Sequence, residues 1–331
     1  LSLKGVPAPD VPGLLDGSDP IVVDVQAAIV LGKALFWDVN VGSDGMACAS
    51  CHFRAGADAR VTNQAAPTGN SADLAGANFD AAADGRPLGP NHRLAHGDFP
   101  FVESTVPLRE TAVYGFARSH DDVAGSAGTF NGAFAAAELA DVAADDCMRG
   151  PDAVFHQAAV GTRQVTRRNA PTVINAVFNH RDFWDGRANN VFNGSSPWGD
   201  RDPAAGVWVT NADGTVTKTR LHLVNSALAS QALAPPTNTT EMSCAGRTLA
   251  DIGRKLQLRR PLEHQEVEAT DSVLGPLSFS TPGAPRPALD TYYFKLVRQA
   301  FNQKYWASTL RGPFGAPAPL GPQDRPLPYN Q

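Results

Sequence analysis

Apolar positions recur at helical spacing in four stretches of the chain. In residues 20–36 they are Val22, Val23, Ala27, Ile29, Val30, Ala34, Leu35 and Phe36, with Asp19-Pro20 supplying an N-cap and a first-turn proline. Residues 226–234 form a second helical stretch. Residues 247–258 form a third, with Leu249, Ile252, Leu256 and Leu258 inward and basic residues outward. The fourth, 288–301, aligns Tyr292, Tyr293, Leu296, Val297, Ala300 and Phe301 on one face. Pro171 opens a short helix with Ile174, Val177 and Phe178 on its apolar side. Strict alternation occurs once: Val207-Trp208-Val209-Thr210 and Thr215-Val216-Thr217 flank Asp213-Gly214, a hairpin signal. Residues 55–144 are rich in Ala, Gly, Asp and Asn and read as long loops with short helical turns. The pattern predicts a mainly α domain with long loop insertions and a small β-hairpin. An extended arm spans 1–20, the domain spans 21–311 with insertions at about 55–160 and 188–225, and a Pro-rich linker spans 312–331.

Composition narrows the partners. The chain has 331 residues, 43% of them hydrophobic, enough to bury a substantial core. Its net charge of -5 argues against nucleic acid or an anionic membrane as the main partner. No run of about 18 apolar residues is present, so no membrane span is expected. The chain starts at Leu1 without a basic and apolar leader and reads as mature or trimmed.

The most specific motif is Cys48-Ala49-Ser50-Cys51-His52. C-x-x-C-H is the attachment signature of c-type haem: two thiols add across the vinyl groups of one porphyrin, and the adjacent imidazole lies under the iron. A zinc site needs a second ligand pair at matching spacing, which Cys147 and Cys244 do not form. A redox C-x-x-C is set beside a βαβ pattern, and none surrounds this one. One covalent c-type haem is therefore expected, held by Cys48 and Cys51 with His52 as proximal ligand. The helix before the motif fits a cytochrome c-like haem domain. Arg54 is a candidate partner for a haem propionate, or else a surface arginine. Covalent haem attachment takes place on the exported side of a bacterial membrane, which implies a periplasmic, secreted or cell-surface protein. That compartment would let Cys147 and Cys244 pair; the alternative is two unrelated buried thiols.

Four blocks carry a family resemblance: LGKALFW, CASCH, then RNAPTVINAVF (168–178) and FWDGRA (183–188). In this order they resemble the N-terminal half of the bacterial di-haem cytochrome c peroxidase and MauG superfamily. The NNVFNG run after FWDGRA and the EMSCAGR run at 241–247 resemble its longer branch, with the surface-associated peroxidases and the rubber oxygenase RoxA. The resemblance implies that Trp184 relays electrons between two haems, its plainer reading being a core aromatic. It implies that Asn169 helps bind calcium. In the peroxidases a glutamine is followed ten positions later by a glutamate before methionine, and Gln231 and Glu241 reproduce that interval. Splitting peroxide needs a base for the first proton and an acid for the leaving oxygen, and a carboxylate over the open iron face serves as both. Glu241 otherwise reads as a solvated loop carboxylate.

Di-haem members carry two C-x-x-C-H motifs and this chain has one. The second haem is then expected on another chain or a C-terminal domain, the alternative being a single-haem derivative, and a small redox protein is expected as electron donor. The sixth iron position is not readable. His156 is a candidate distal ligand, with a structural hydrogen-bonding role as its alternative, and Met46 is too close to Cys48 to reach over the ring. The leading function is a periplasmic haem peroxidase acting on hydrogen peroxide. The alternatives are a RoxA-like enzyme that uses dioxygen to cleave carbon–carbon double bonds, and a plain electron carrier with closed iron.

Overall fold

Asp24, rather than Asp19, opens the first helix. In the computed structural model, which describes residues 5–53, 63–67, 79–101, 122–139 and 142–308, α1 runs Val25–Trp37 and Asp24 Oδ1 accepts the Ala27 N–H at 3.0 Å. Residues before Asp24 are used elsewhere: Val22 bridges to Phe301, and the Val23 N–H donates to the Ala300 carbonyl. Three further helices follow, α2 (Ala227–Ala232), α3 (Leu249–Leu256) and α4 (Tyr293–Ala300). Thr248 and Asp251 close a reciprocal capping box at the start of α3. Ile252 and Leu256 face the core as their spacing predicts, but Leu249 and Leu258 are exposed. Lys255, which the pattern placed outside, is buried.

The expectation of a mainly α, cytochrome c-like domain is overturned. Among the described residues the four α-helices are 13, 6, 8 and 8 residues long. They share the chain with twelve short strands in six two-stranded antiparallel ribbons. In chain order the strands are β1 (Gln64–Ala66), β2 (Val123–Gly125), β3 (Ala127–Phe130), β4 (Gly132–Ala136), β5 (Asp146–Arg149), β6 (His156–Gln157), β7 (Val160–Gly161), β8 (Arg163–Val165), β9 (Val207–Thr210), β10 (Val216–Thr219), β11 (Glu266–Val267) and β12 (Arg286–Pro287). Helix nucleation fixes several residues for one hydrogen bond, so a segment broken by Gly, Asn or Pro every few residues does not propagate one. In the stretch read as loops, small side chains instead let backbones approach closely enough to pair. The helix expected at Pro171 fails for this reason. Asn175 adopts a left-handed φ of 65°, only the turn Ala176–Phe178 is helical, and Val173, Ile174 and Val177 are exposed. The hairpin is present: β9 pairs β10 around Gly214, which takes a φ of 82°.

One core joins α1, α3 and α4 through Leu31, Ile252, Leu256, Tyr293 and Leu296, with Met46 and Met242 delivered by loops. Asp38, fully buried after α1, fixes the corner. It accepts the Leu262 N–H at 2.8 Å and the Tyr293 hydroxyl at 2.7 Å on Oδ2, and the Asn40 N–H at 2.8 Å on Oδ1. Burial and the adjacent Asp38 push the Tyr293 phenol well above its ordinary pKa, so it stays a donor. A second buried polar centre is Asp145, which pairs with Arg247 at 2.8 Å and Lys255 at 3.0 Å, all three side chains closed to solvent. Burial lowers the Lys255 pKa to about 8, against the pull of Asp145.

Tyr293→Phe leaves Asp38 with one donor fewer and should destabilise the fold by about 1–2 kcal/mol, read as a lower urea midpoint. Lys255 releases its proton near pH 8 when folded but near 10.5 when unfolded. Between these values the unfolded chain binds more protons, so this group's contribution to stability rises with pH. Lys255→Met should flatten that rise in urea midpoints compared from pH 7.5 to 10.

Candidate functional site

The C-x-x-C-H motif folds as one tight turn. Residues Cys48–Ser50 form a 3₁₀ turn in which the Cys48 carbonyl accepts the N–H groups of Cys51 at 3.2 Å and His52 at 3.0 Å. Ser50 Oγ reaches back to accept the Ala47 N–H at 3.0 Å. Both thiols are thereby drawn to one turn, half-buried against the core, and neither is in a disulfide. Burial, with Cys51 and Glu241 nearby, pushes the Cys48 thiol up to about 11.

His52 is oriented from across the chain. Its Nδ1 lies 2.9 Å from the Pro171 carbonyl oxygen. A carbonyl only accepts, so Nδ1 is the donor, and in the neutral ring the lone pair is on Nε2. That is the tautomer an iron ligand needs. Two half-buried thiols on one turn and an adjacent imidazole with Nε2 available fit covalent haem. Haem bound there supplies a redox-active iron able to exchange electrons with peroxide or dioxygen.

The loop before the motif is tied down at every step. Gly42 leaves no room for a side chain, because a Cβ would stand 2.3 Å from the Met46 carbonyl oxygen. Ser43 donates its N–H to the Met242 carbonyl at 2.8 Å and accepts the Cys244 N–H on Oγ at 2.9 Å. Asp44 accepts the Thr129 hydroxyl at 2.8 Å and the Phe130 N–H at 2.9 Å, and pairs with Arg163 at 3.3 Å. Met46 is buried in the core.

Glu241 lies in the turn bonded to Ser43, close enough to Cys48 to raise its pKa. It is half-buried, and burial raises its own pKa against the opposing charge of Arg187. Its carboxylate has no hydrogen-bond partner among the described residues, whereas a simple solvated loop carboxylate would have an ordinary pKa. Cys244, three residues on, is joined to Cys147 of β5 by a disulfide. Gln231 is half-buried in α2, which packs on the turn Ala176–Phe178.

Trp184 is 72% exposed, so it is not a core aromatic. It projects from a turn closed by reciprocal bonds between Asp182 and Ala188, at 3.2 and 3.3 Å. Within that turn Phe183 and Gly186 have left-handed φ angles of 62° and 67°. Arg187 holds the turn by pairing with Asp185 at 3.0 Å and lying 3.8 Å from the Phe183 ring centroid. Arg168 stacks over the Trp184 indole at 4.3 Å. Asn169 is exposed. No cluster of three or more His, Cys, Asp or Glu side chains suited to a metal ion occurs among the described residues. His156 is exposed in β6, its Nδ1 2.9 Å from the Ala158 carbonyl oxygen. Arg54 lies outside the described residues. The pattern missed Pro171 as the histidine's partner, and it missed Ser43, Asp44 and Arg163 as supports of the motif. The Asn-Thr-Thr-Glu run at 238–241 was the one local signal for the turn under Glu241.

Residues 145–303 match the family model of the di-haem cytochrome c peroxidases. Over this segment, just under half of the chain, the sequence is similar to that superfamily. No curated protein and no solved structure matches the chain. The peroxidase segment holds Pro171, Trp184, Gln231 and Glu241, while the C-x-x-C-H motif precedes it. The His52–Pro171 bond joins the two. The family supports haem-dependent peroxidase or oxidoreductase chemistry with c-type haem. No helix among the described residues is long and apolar enough to cross a membrane.

Replacing both Cys48 and Cys51 with Ser should leave haem fully extractable by acidified organic solvent, while the parent chain keeps its haem on a denaturing gel. Haem retained covalently by the double variant would refute the assignment.

Proposed function

We propose that this protein is an exported bacterial haem peroxidase, reducing hydrogen peroxide with electrons relayed from a second haem-bearing unit. The observation that carries this reading is the 2.9 Å contact of His52 with Pro171, which joins the haem-attachment turn to the peroxidase-family segment. Cys48 and Cys51 would hold the porphyrin, and His52 Nε2 would be the donor offered to its iron. Glu241 accepts a proton from the incoming peroxide and returns it to the departing oxygen. A carboxyl whose pKa is raised by burial suits that exchange better than one fixed in an ion pair. Gln231 orients peroxide beside it. Reduction of one peroxide to two waters consumes two protons and two electrons. We assign electron entry to Trp184, whose exposed indole and flanking Arg168 suit contact with the second haem unit. A small redox protein is the ultimate donor, and Asn169 contributes one oxygen to a calcium site completed by the second unit.

The decisive experiment measures peroxide consumption coupled to oxidation of a reduced donor by the haem-loaded protein. Glu241→Gln should lower kcat by about 10²–10⁴-fold with haem content unchanged. Unchanged turnover would overturn the proton-transfer role. Oxygen uptake on polyisoprene without peroxide consumption would favour the dioxygenase, and an iron closed to cyanide and carbon monoxide would favour the electron carrier.

A further inference from the structure

The carboxylate of Glu241 has no hydrogen-bond partner among the described residues, yet the backbone around it is bonded on both sides. Four N–H groups of the turn converge on Asn238. Its Oδ1 accepts from Thr240 at 2.9 Å and Glu241 at 3.0 Å. Its carbonyl oxygen accepts from Met242 at 3.0 Å and Ser243 at 2.9 Å. The outer side of the turn is held by the β-ribbons. Thr129 of β3 donates its N–H to the Thr240 carbonyl at 3.0 Å, and Gln164 of β8 donates Nε2 to the Thr239 carbonyl at 2.7 Å. Gly128 lets β3 come this close, since a Cβ there would stand 1.9 Å from the Thr240 oxygen. The inner side is held by Ser43 of the loop leading to the haem-attachment turn.

We propose that Asn238 is a positioning residue for Glu241, and that β3 and β8 form the outer wall that sets this carboxylate against the haem-attachment turn. A surface loop needs none of this. A carboxylate without a hydrogen-bond partner among the described residues, in a turn whose backbone is bonded from Thr239 to Ser243, is one whose place is fixed and whose oxygens are kept available. Asn suits the task because its short side-chain oxygen accepts two successive N–H groups while its backbone carbonyl closes the far side of the turn. Asp retains both acceptor roles; Ala removes the side-chain one. The inference rests on Glu241 being the site's base, and its test separates that reading from this one.

The test uses haem-loaded full-length protein and two readouts, peroxide turnover and the association rate of cyanide. Cyanide arrives as the neutral acid and must lose its proton, so its rate reports a placed base without any turnover. Glu241→Gln sets the rate without the base. Asn238→Ala should slow cyanide association and lower kcat by about 5–10-fold, leaving KM within about twofold, and Asn238→Asp should restore both. Gln164→Leu removes the Thr239 contact at a half-buried position, and a two- to threefold loss there carries the test if Asn238→Ala does not fold. Asn238→Ala matching the parent in both readouts would overturn the proposal, as would Asn238→Asp as slow as Asn238→Ala. If the parent does not consume peroxide but the cyanide order holds, the peroxidase reading fails and the positioning role stands. If the parent consumes peroxide and neither Asn238→Ala nor Gln164→Leu changes either readout, the reverse is true.

Discussion

Asp145 is the charge around which the irregular part of this structure is arranged. Its carboxylate, closed to solvent, stands between Arg247 and Lys255. Burying three charges costs several kcal/mol per ion unless the remaining donors find partners. Some do: Arg247 Nη1 donates to the Val41 carbonyl at 2.7 Å, and Lys255 donates to Gly42 at 3.3 Å and to Ala143, while the buried Arg247 Nε has no hydrogen-bond partner among the described residues. The partners come from three separate segments, around 41–46, 143–147 and 243–255. With helices and ribbons this short, such long-range links replace the regular ladders that position loops in other folds. The Cys147–Cys244 disulfide and the buried Asp38 corner reinforce the same junction.

The candidate site inherits its geometry from that junction. Segment 41–46 leads directly into Cys48, and segment 241–247 begins with Glu241. The two are bonded to each other through Ser43, and both are bonded to β3, through Asp44 and through Thr240. The third support is remote in sequence. Pro171 orients the His52 imidazole through its carbonyl, an atom that no side-chain substitution removes. The orientation of the His52 imidazole thus depends on the path of the backbone before Asn175.

Local chemistry was legible in the sequence, and long-range chemistry was not. The attachment turn was readable because covalent haem demands two thiols and an imidazole within five residues. The hairpin at 207–219 was readable from alternation around Asp-Gly, and α3 and α4 from period-3.6 spacing. The overall class was misread because the Ala- and Gly-rich stretch has no periodicity, and its short ribbons depend on distant backbone partners. Lys255 was misread for a related reason. A lysine on a helix reads as outward, and only the position of Asp145, 110 residues earlier in number, turns it inward. Glu241 was singled out by an interval shared with a family, but its support by Asn238 and β3 required the fold.

Trp184 shows how much structure is committed to one exposed side chain. A bulky residue at positive φ costs on the order of 1–3 kcal/mol, and Phe183 carries that strain beside it. The turn survives because its ends are bonded through Asp182 and Ala188, and Arg187 braces it from within. The ends of the turn, Asp182 and Ala188, are buried, but the indole itself adds nothing to the core, being turned to solvent rather than inward. The same Arg187 acts electrostatically on Glu241, so the turn that presents the indole is coupled to the site's carboxylate. A strained, braced turn that displays an aromatic ring on one side and acts on the carboxylate on the other fits the electron entry proposed for Trp184. It favours Trp184 as a contact for the second haem unit over a purely structural role.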